Sequence, residues 1–216
     1  MPSSESLNRG LEDVPVAKTR LSRIDGEAGE LIIGGFPVDE LAANATFEET
    51  LYLLLHDRLP TASELDDLRS TLAERRSISD EVRAVLRRAA REEKPAMDAL
   101  RMGIATATLG VDEGDHRATA HRLGAVAPTI VATYWRYRQG TEPLQPRSDL
   151  HHAANYLHLL TGDEPADAAV RGLETYLNTV ADHGLNASTF AVRVVVSTES
   201  DLVSGATAAV GALKGP

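Results

Sequence analysis

The sequence contains no cysteine, only three lysines, and no window approaching eighteen uninterrupted apolar residues. The lack of cysteine excludes disulfides, thiolate catalysis and cysteine-ligated zinc, and it is consistent with a reducing cytoplasm. The lack of a long apolar run predicts that nothing spans a membrane. The polar start MPSSESLNRG also has no apolar stretch of the secretory type. We therefore expect a soluble, cytoplasmic protein.

Positive charge is scarce as well. The chain carries 22 lysines and arginines against 32 aspartates and glutamates, a formal net charge of −10. Such a field repels phosphate, so we expect neither a general nucleic-acid surface nor a membrane-binding one. A polyanionic ligand would need a local positive pocket. The acidic, lysine-poor composition fits either a salt-rich cytoplasm or a codon-biased genome, and both explanations remain open.

What is present indicates a helical domain. The length of 216 residues and a hydrophobic fraction of 43% suffice for one domain with a sizeable core. Strand signals occur only near the N-terminus, where short segments flank Asp25-Gly26 and predict a hairpin. We therefore predict an all-α fold with a short N-terminal β-hairpin. Its expected parts are an N-terminal arm over residues 1–35 and a helical portion over residues 36–216.

Two helices show a clear start signal. Thr46 is followed three residues later by Glu49, and Thr61 by Glu64, which is the pattern of a capping box. The periodicity predicts that the buried stripe of the first of these helices contains the following residues: Leu51, Leu54 and Leu55.

The later helices carry weaker signals. Pro128 lies inside a helical segment at residues 116–138 and predicts a kink or a break. Ser148 is predicted to cap the next helix, and the one after it to end near Gly184. The β-branched stretch FAVRVVV fits a strand on propensity alone, but the small residues after it favour a single helix over residues 187–214.

Most polar clusters fit a structural role. The seven histidines lack the spacing of a metal site, so we expect no metal and interpret them as surface or partly buried residues. The fingerprints of serine hydrolases, P-loops and dinucleotide-binding folds are absent.

The stretch ADHGLNAST is an exception. His183 and Asn186 flank a Gly-Leu turn, directly before a Ser-Thr pair that is able to cap the next helix. A helix N-terminus offers free N–H groups to a carboxylate, and both side chains add hydrogen-bonding capacity. We predict His183 and Asn186 as substrate-binding residues. A plain joint between two helices is the alternative that composition leaves open.

The sequence DHGLNASTFAVRV…STESDLVSGATAAVGALKGP resembles the citrate synthase family, including its 2-methylcitrate synthase relatives. Family-like segments also occur in the same order earlier in the chain: GLEDVPVAKTRLSRIDGEAGELIIGGFPVDELA, TFEETLYLLLHDRLPTASEL, PAMDALR and ANYLHLLTGDEP. The resemblance covers nearly the whole chain from Gly10. One local departure is Gly34, which stands where family members often carry arginine.

The resemblance implies a tricarboxylic acid cycle acyltransferase. Such an enzyme condenses acetyl-CoA, or propionyl-CoA in the methylcitrate synthases, with oxaloacetate and needs no cofactor. By the same resemblance, His183 contacts oxaloacetate and Asn186 lies in the same pocket. The family is a homodimer with a helical interface. Small residues at i+4 spacing in the last predicted helix fit such packing, and they fit a helix buried in the chain's own core equally well: Ser204, Ala208 and Ala212, and likewise Gly205 and Ala209.

The resemblance also implies that important parts follow residue 216. In the family, GALKGP leads into a Leu-His-Gly-Gly segment, a later Gly-His-Arg motif and a catalytic aspartate. We therefore expect these 216 residues to form the N-terminal large-domain portion, lacking the small domain, and to be nearly inert alone. No catalytic residue is assigned within them. A truncated frame and a split gene with a complementary C-terminal chain both remain open, as does the choice of acetyl or propionyl substrate. The alternative function is a non-catalytic dimerising scaffold or dicarboxylate-binding module.

Overall fold

The computed structural model describes residues 14, 16–109 and 115–215. The predicted hairpin is confirmed: strands β1 (Ser22–Asp25) and β2 (Glu30–Ile33) pair antiparallel. The Asp25 carboxylate accepts the N–H groups of Glu27 and Ala28 at 3.1 and 2.9 Å and so closes the turn. A short third strand, β3 (Phe36–Pro37), pairs with β2 and was not predicted. Most of the remaining N-terminal arm, residues 1–13 and 15, lies outside the described residues.

The other regular elements of the described structure are all helices, as the all-α prediction requires. They are α1 (Val38–Asn44), α2 (Phe47–His56), α3 (Ala62–Glu74), α4 (Asp80–Arg91), α5 (Ala96–Ala105), α6 (His116–Arg138), α7 (His152–Thr161), α8 (Asp167–Thr179), α9 (Ala187–Val196) and α10 (Leu202–Leu213). No helix in this part of the chain is long and apolar enough to cross a bilayer.

Both capping boxes are confirmed. The Thr46 N–H donates to the Glu49 carboxylate at 2.7 Å, and the Thr61 N–H donates to Glu64 at 2.9 Å. Each threonine hydroxyl accepts the N–H of the same glutamate in return. These contacts are local along the chain, and local patterns are what a sequence reveals most directly.

The predicted apolar stripe of α2 is confirmed only in part, since Leu51 and Leu54 pack against the core clusters without being fully buried. Leu51, Leu54 and Leu55 are only partly buried, whereas the buried residues of α2 are Glu48, Thr50, Tyr52 and Leu53. The reason is that α2 lies between two clusters. Leu53 packs with Ile33 against the sheet side, and Tyr52 packs towards α3 and α6.

The main core lies among α4, α5, α6 and α10. Leu86, Val126 and Ile130 are fully buried within it. Gly103 allows α5 to approach α6 closely, because a Cβ at this position would overlap the Ile130 side chain. Of the kink or break predicted at Pro128, the break does not occur, since α6 runs unbroken from His116 to Arg138. The buried residues on both sides of Pro128 hold the two halves in one helix.

The start of α7 also differs from its prediction. His151, not Ser148, is the N-cap, and its side chain makes no capping bond. The cap comes from elsewhere in the chain: the fully buried Glu48 carboxylate of α2 accepts the His152 N–H at 2.8 Å. Arg76, which is 1% exposed, fixes the preceding segment by donating to the carbonyls of Arg147 and Leu150. A cap supplied by a distant helix leaves no local signal.

The last predicted helix is in fact two helices. α9 ends at Val196, and α10 begins at Leu202 after a connection in which Glu199 has a φ of +62°. Asp201 caps α10 by accepting the Ser204 N–H at 2.7 Å. The two helices pack as a hairpin, since Gly205 of α10 lies against the side chains of Val192 and Val196. Likewise α8 ends at Thr179 rather than near Gly184.

Candidate functional site

The loop between α8 and α9 carries the predicted binding residues, and it is held by its own hydrogen bonds. The Asp182 carboxylate accepts the Gly184 N–H at 3.0 Å, and the Gly184 carbonyl accepts the Asn186 N–H at 3.1 Å. Gly184 has a φ of +90°, which side chains other than hydrogen rarely allow. These hydrogen bonds and the positive φ of Gly184 therefore fix the backbone conformation of this short Asp-His-Gly turn.

Asn186, and not the Ser-Thr pair, caps α9. Its Oδ1 accepts the Thr189 N–H at 2.8 Å, and its carbonyl accepts the Phe190 N–H at 2.9 Å. The N–H groups of Ala187 and Ser188 have no carbonyl within the helix to bind, as is usual in a first turn. These two groups and the positive end of the helix dipole remain for an anion.

The structure brings the two predicted residues together. Asn186 Nδ2 and His183 Nε2 are 3.4 Å apart. The cap bond to Thr189 fixes which side of the amide is oxygen, so the nitrogen faces the imidazole and donates to it. A ring that accepts at Nε2 carries its proton on Nδ1, and His183 is exposed. The pair thus presents a free Nδ1–H donor beside the start of α9.

A cavity adjoins this pair. It has a volume of about 510 Å³, and its lining is largely apolar: Val14, Val16, Ala17, Leu185, Asn186, Ala187 and Phe190. Asn186 is the polar member of that lining, whereas His183 lies outside it. The predicted pair therefore sits at the border between a hydrophobic hollow and the solvent.

The N-terminal hairpin packs against the loop between α8 and α9. The sequence did not predict this contact. A Cβ placed on Gly184 would lie 3.8 Å from Ile24 Cδ1 and 4.0 Å from Ser22 Oγ. The Ser22 hydroxyl is buried and has no hydrogen-bond partner among the described residues. Strand β1 therefore lies directly behind the turn that carries His183. The contact joins segments far apart in sequence, so no local pattern announces it.

Three other histidines occupy structural positions. His152 is 4% exposed and stacks on Phe47 with ring centroids 4.1 Å apart, and burial lowers its pKa to about 3. Burial also lowers the pKa of His121, and Arg75 and Arg117 add to that effect. His56 stacks on Tyr52 with ring centroids 4.0 Å apart. Within the part of the chain that the structure describes, no three potential metal ligands cluster.

Comparison with known proteins places these observations in a family. A family model described as citrate synthase, C-terminal domain, matches residues 10–216. The chain is 41% identical over 221 residues to the citrate synthase of Haloferax volcanii, covering 98% of this chain and 58% of that protein. It is 39% identical over 215 residues to a 2-methylcitrate synthase of Mycobacterium tuberculosis, covering 97% and 54%.

Solved structures agree. The citrate synthase of Pyrobaculum aerophilum superimposes with a TM-score of 0.87 at 40% identity, covering 95% of this chain and 55% of that one. The ternary complex of the Thermoplasma acidophilum enzyme with carboxymethyl coenzyme A and oxaloacetate gives 0.85 at 31% identity, covering 94% and 55%. The chain thus spans a little over half the length of the relatives it matches.

Proposed function

The chain belongs to the citrate synthase family, and from this we propose that its His183–Asn186 loop binds oxaloacetate within an enzyme that condenses an acyl-CoA with that keto acid. The observation that carries the proposal is the pairing of the His183 imidazole with the Asn186 cap at the start of α9. Both citrate and 2-methylcitrate synthases are among the relatives, so the acyl group is either acetyl or propionyl.

The chemistry of the loop suits a carboxylate of that substrate. The N–H groups of Ala187 and Ser188 are positioned to donate to one carboxylate at the positive end of α9. His183 Nδ1–H supplies a further donor for a substrate oxygen. Asn186 keeps the imidazole in the tautomer that leaves this proton available. We propose that these residues bind and orient the keto acid rather than carry out the bond-forming step.

The loop cannot neutralise a dicarboxylate by itself. Within residues 181–186 the single formal charge is the negative one on Asp182. Oxaloacetate carries two negative charges, and binding it tightly requires cations from other segments. We propose that these 216 residues alone bind oxaloacetate weakly and release no thiol from acetyl-CoA in its presence. Turnover at an ordinary enzymatic rate would contradict this.

The direct test is a calorimetric titration of the 216-residue chain with oxaloacetate. We expect His183→Ala to weaken binding about tenfold or more, because the loss of one hydrogen bond to a charged group costs about 1.5–3 kcal/mol. His151→Ala is the matched control, since His151 is also exposed and its side chain makes no capping bond to the helix that follows it. Equal affinities of the wild type and His183→Ala would remove His183 from the site.

We further propose that the chain forms a homodimer through its C-terminal helices. A groove of about 500 Å³ between α5 and α10 is lined by the following residues: Arg101, Ala105, Val203, Ser204, Thr207, Ala208 and Gly211. Of the two predicted stripes, Gly205 and Ala209 are used within the chain, because they face α9. Ser204 and Ala208 border the open groove and remain for a second copy.

A non-catalytic dimerising scaffold is the second candidate function. The open groove favours it as much as it favours the enzyme, because docking through α10 needs no substrate. Oxaloacetate binding distinguishes the two, since a scaffold that dimerises without binding the keto acid has no use for the His183–Asn186 pair.

A further inference from the structure

A row of arginines lies on one face of α4, away from the loop described above. Arg83, Arg87 and Arg91 follow one another at intervals of four residues, so their side chains leave the same side of the helix. Successive members are about 6 Å apart along the helix axis at a rise of 1.5 Å per residue. Arg87 and Arg91 are exposed, and Arg83 is half-buried.

This row is not neutralised. Among the described residues, none of the three arginines lies within 4.0 Å of a carboxylate oxygen. Arg88, on another face of the same helix, pairs with Glu92 at 2.5 Å, and nearby Arg138 pairs with Glu93 at 3.5 Å. The chain has a net charge of −10, so three arginines without an ion-pair partner on one helix face form a locally positive surface on an acidic protein.

Stabilisation of the helix does not account for the whole row. Cations in the last turn interact favourably with the negative end of the helix dipole, which explains Arg91. Arg83 lies in the first turn, near the positive end, where a cation is unfavourable. The helix dipole therefore does not explain Arg83.

The row borders a groove of about 300 Å³. Its lining comprises Arg87, Arg91, Tyr137, Gly140, Thr141 and Glu142. Arg87 Nη2 donates to the Tyr137 hydroxyl at 3.0 Å, and its guanidinium carbon lies 5.0 Å from the centre of that ring. Arg83 Nη2 donates to Gln145 Oε1 at 3.2 Å. Two of the three guanidinium groups are therefore held in place while their charge stays uncompensated.

One carboxylate opposes the row. Glu142 lines the groove, and within the described part of the chain it forms no ion pair. Two arginines and one glutamate in the lining leave the groove with a net positive charge. A single exposed ion pair contributes little in water, so a monovalent anion would bind poorly here. A ligand with several linked negative charges would engage two guanidinium forks at once.

We propose that this groove binds a compact polyanion with two linked phosphate groups, held by Arg87 and Arg91 and attracted further by Arg83. The two side chains leave the helix about 6 Å apart along its axis, and each guanidinium is able to donate paired N–H···O bonds to one phosphate. This site is separate from the oxaloacetate site and does not depend on it.

The probe is inorganic pyrophosphate, titrated into the 216-residue chain by calorimetry at low ionic strength. We expect Arg87→Gln/Arg91→Gln to lower the affinity at least about tenfold, because it removes both charged donors. Arg88→Gln is the matched control on the paired face and is expected to change the affinity less than about twofold. Glu142→Gln is expected to raise the affinity about twofold or more, because it removes a repulsive charge.

Amide spectra locate the binding. Pyrophosphate should shift the amide signals of Gly140, Thr141 and Glu142 in the wild type and leave them unchanged in the double variant, whose fold is checked by circular dichroism. ADP serves as the nucleotide source of the same diphosphate. Binding of either ligand that is lost in the double variant supports the site. Equal affinities of the wild type and the double variant, shifts confined to the His183 loop, or no binding of either ligand would overturn it.

Discussion

At the scale of single residues, His152 shows how burial fixes a protonation state. Its ring stacks on Phe47, and no protein group within the described residues bonds to its buried Nδ1. Burial therefore lowers its pKa to about 3, so the imidazole is neutral in the folded chain. In the unfolded chain a histidine has its ordinary pKa of about 6.5. The unfolded state thus binds one more proton between these two values.

This difference predicts a loss of stability in acid. The contribution of His152 to the free energy of unfolding is fully present above pH ~6.5 and falls by about 1.4 kcal/mol per pH unit as the pH drops towards 3. We expect His152→Phe to remove this part of the pH dependence of the free energy of unfolding, measured by urea titrations from pH 7 to pH 4. His151→Phe, at the exposed neighbouring position, should keep the wild-type slope. Parallel slopes for wild type and His152→Phe would contradict the assignment.

The proposed binding residues also belong to this scale, and the sequence predicted their proximity but not the contacts that support their loop. The spacing of three between His183 and Asn186 is local, so their proximity was predictable. The contact of Gly184 with Ser22 and Ile24 was not, because it depends on how the hairpin packs onto the helical domain. The role of Glu48 as a remote cap of α7 was hidden for the same reason.

At the scale of elements, hydrogen bonds between residues close in sequence were predictable. Where two sequence signals favoured different structures in one segment, the outcome was not predictable. The capping boxes at Thr46 and Thr61 and the hairpin turn at Asp25 each use groups within three residues. The break between α9 and α10 had a signal of the same kind in Asp201 and Ser204. This signal did not enter the prediction, because the small residues after FAVRVVV favoured a single helix over residues 187–214.

The break can be tested through its cap. Asp201 accepts both the N–H and the hydroxyl of Ser204, at 2.7 and 2.8 Å. We expect Asp201→Ala to lower the free energy of unfolding by about 1 kcal/mol, the usual cost of losing an N-cap. Ser197→Ala serves as control, because Ser197 is the C-cap of α9 and its hydroxyl donates to the Val194 carbonyl. Urea titrations that give Asp201→Ala no greater loss than Ser197→Ala would argue against a helix start at Leu202.

At the scale of the whole molecule, the small residues of α10 have two different uses. Gly205 and Ala209 face α9 within the chain, whereas Ser204 and Ala208 border the open groove beside α5. The i+4 spacing identified both stripes in the sequence. The spacing did not show which stripe packs within the chain and which stays open, because the antiparallel packing of α10 on α9 was not predicted.

The proposed dimer follows from the open stripe. Light scattering coupled to size-exclusion chromatography should give the mass of two chains for the wild type. Ala208→Glu should give the mass of one, because two opposed carboxylates would be buried in the interface. Ala28→Glu, in the exposed hairpin turn, should remain dimeric. A monomeric wild type, or a dimer that tolerates Ala208→Glu, would remove α10 from any interface.

The family resemblance was recognisable from the sequence because its segments recur in order over almost the whole chain. The matched residues 10–216 and the superposition with citrate synthases confirm it. The division into an arm of residues 1–35 and a helical portion of residues 36–216 stays a prediction, and so do the bound substrate and the activity. These depend on groups brought together in space, and the chain spans only part of the relatives that carry them.

The most direct test of the proposed site follows the nuclei of the loop itself during an oxaloacetate titration. Amide signals of Ala187 and Ser188 and the ring signals of His183 should shift together and saturate along one binding curve, with the rest of α9 little changed. Shifts that appear only outside residues 182–189, or none at millimolar oxaloacetate, would contradict the assignment of this loop to the keto acid.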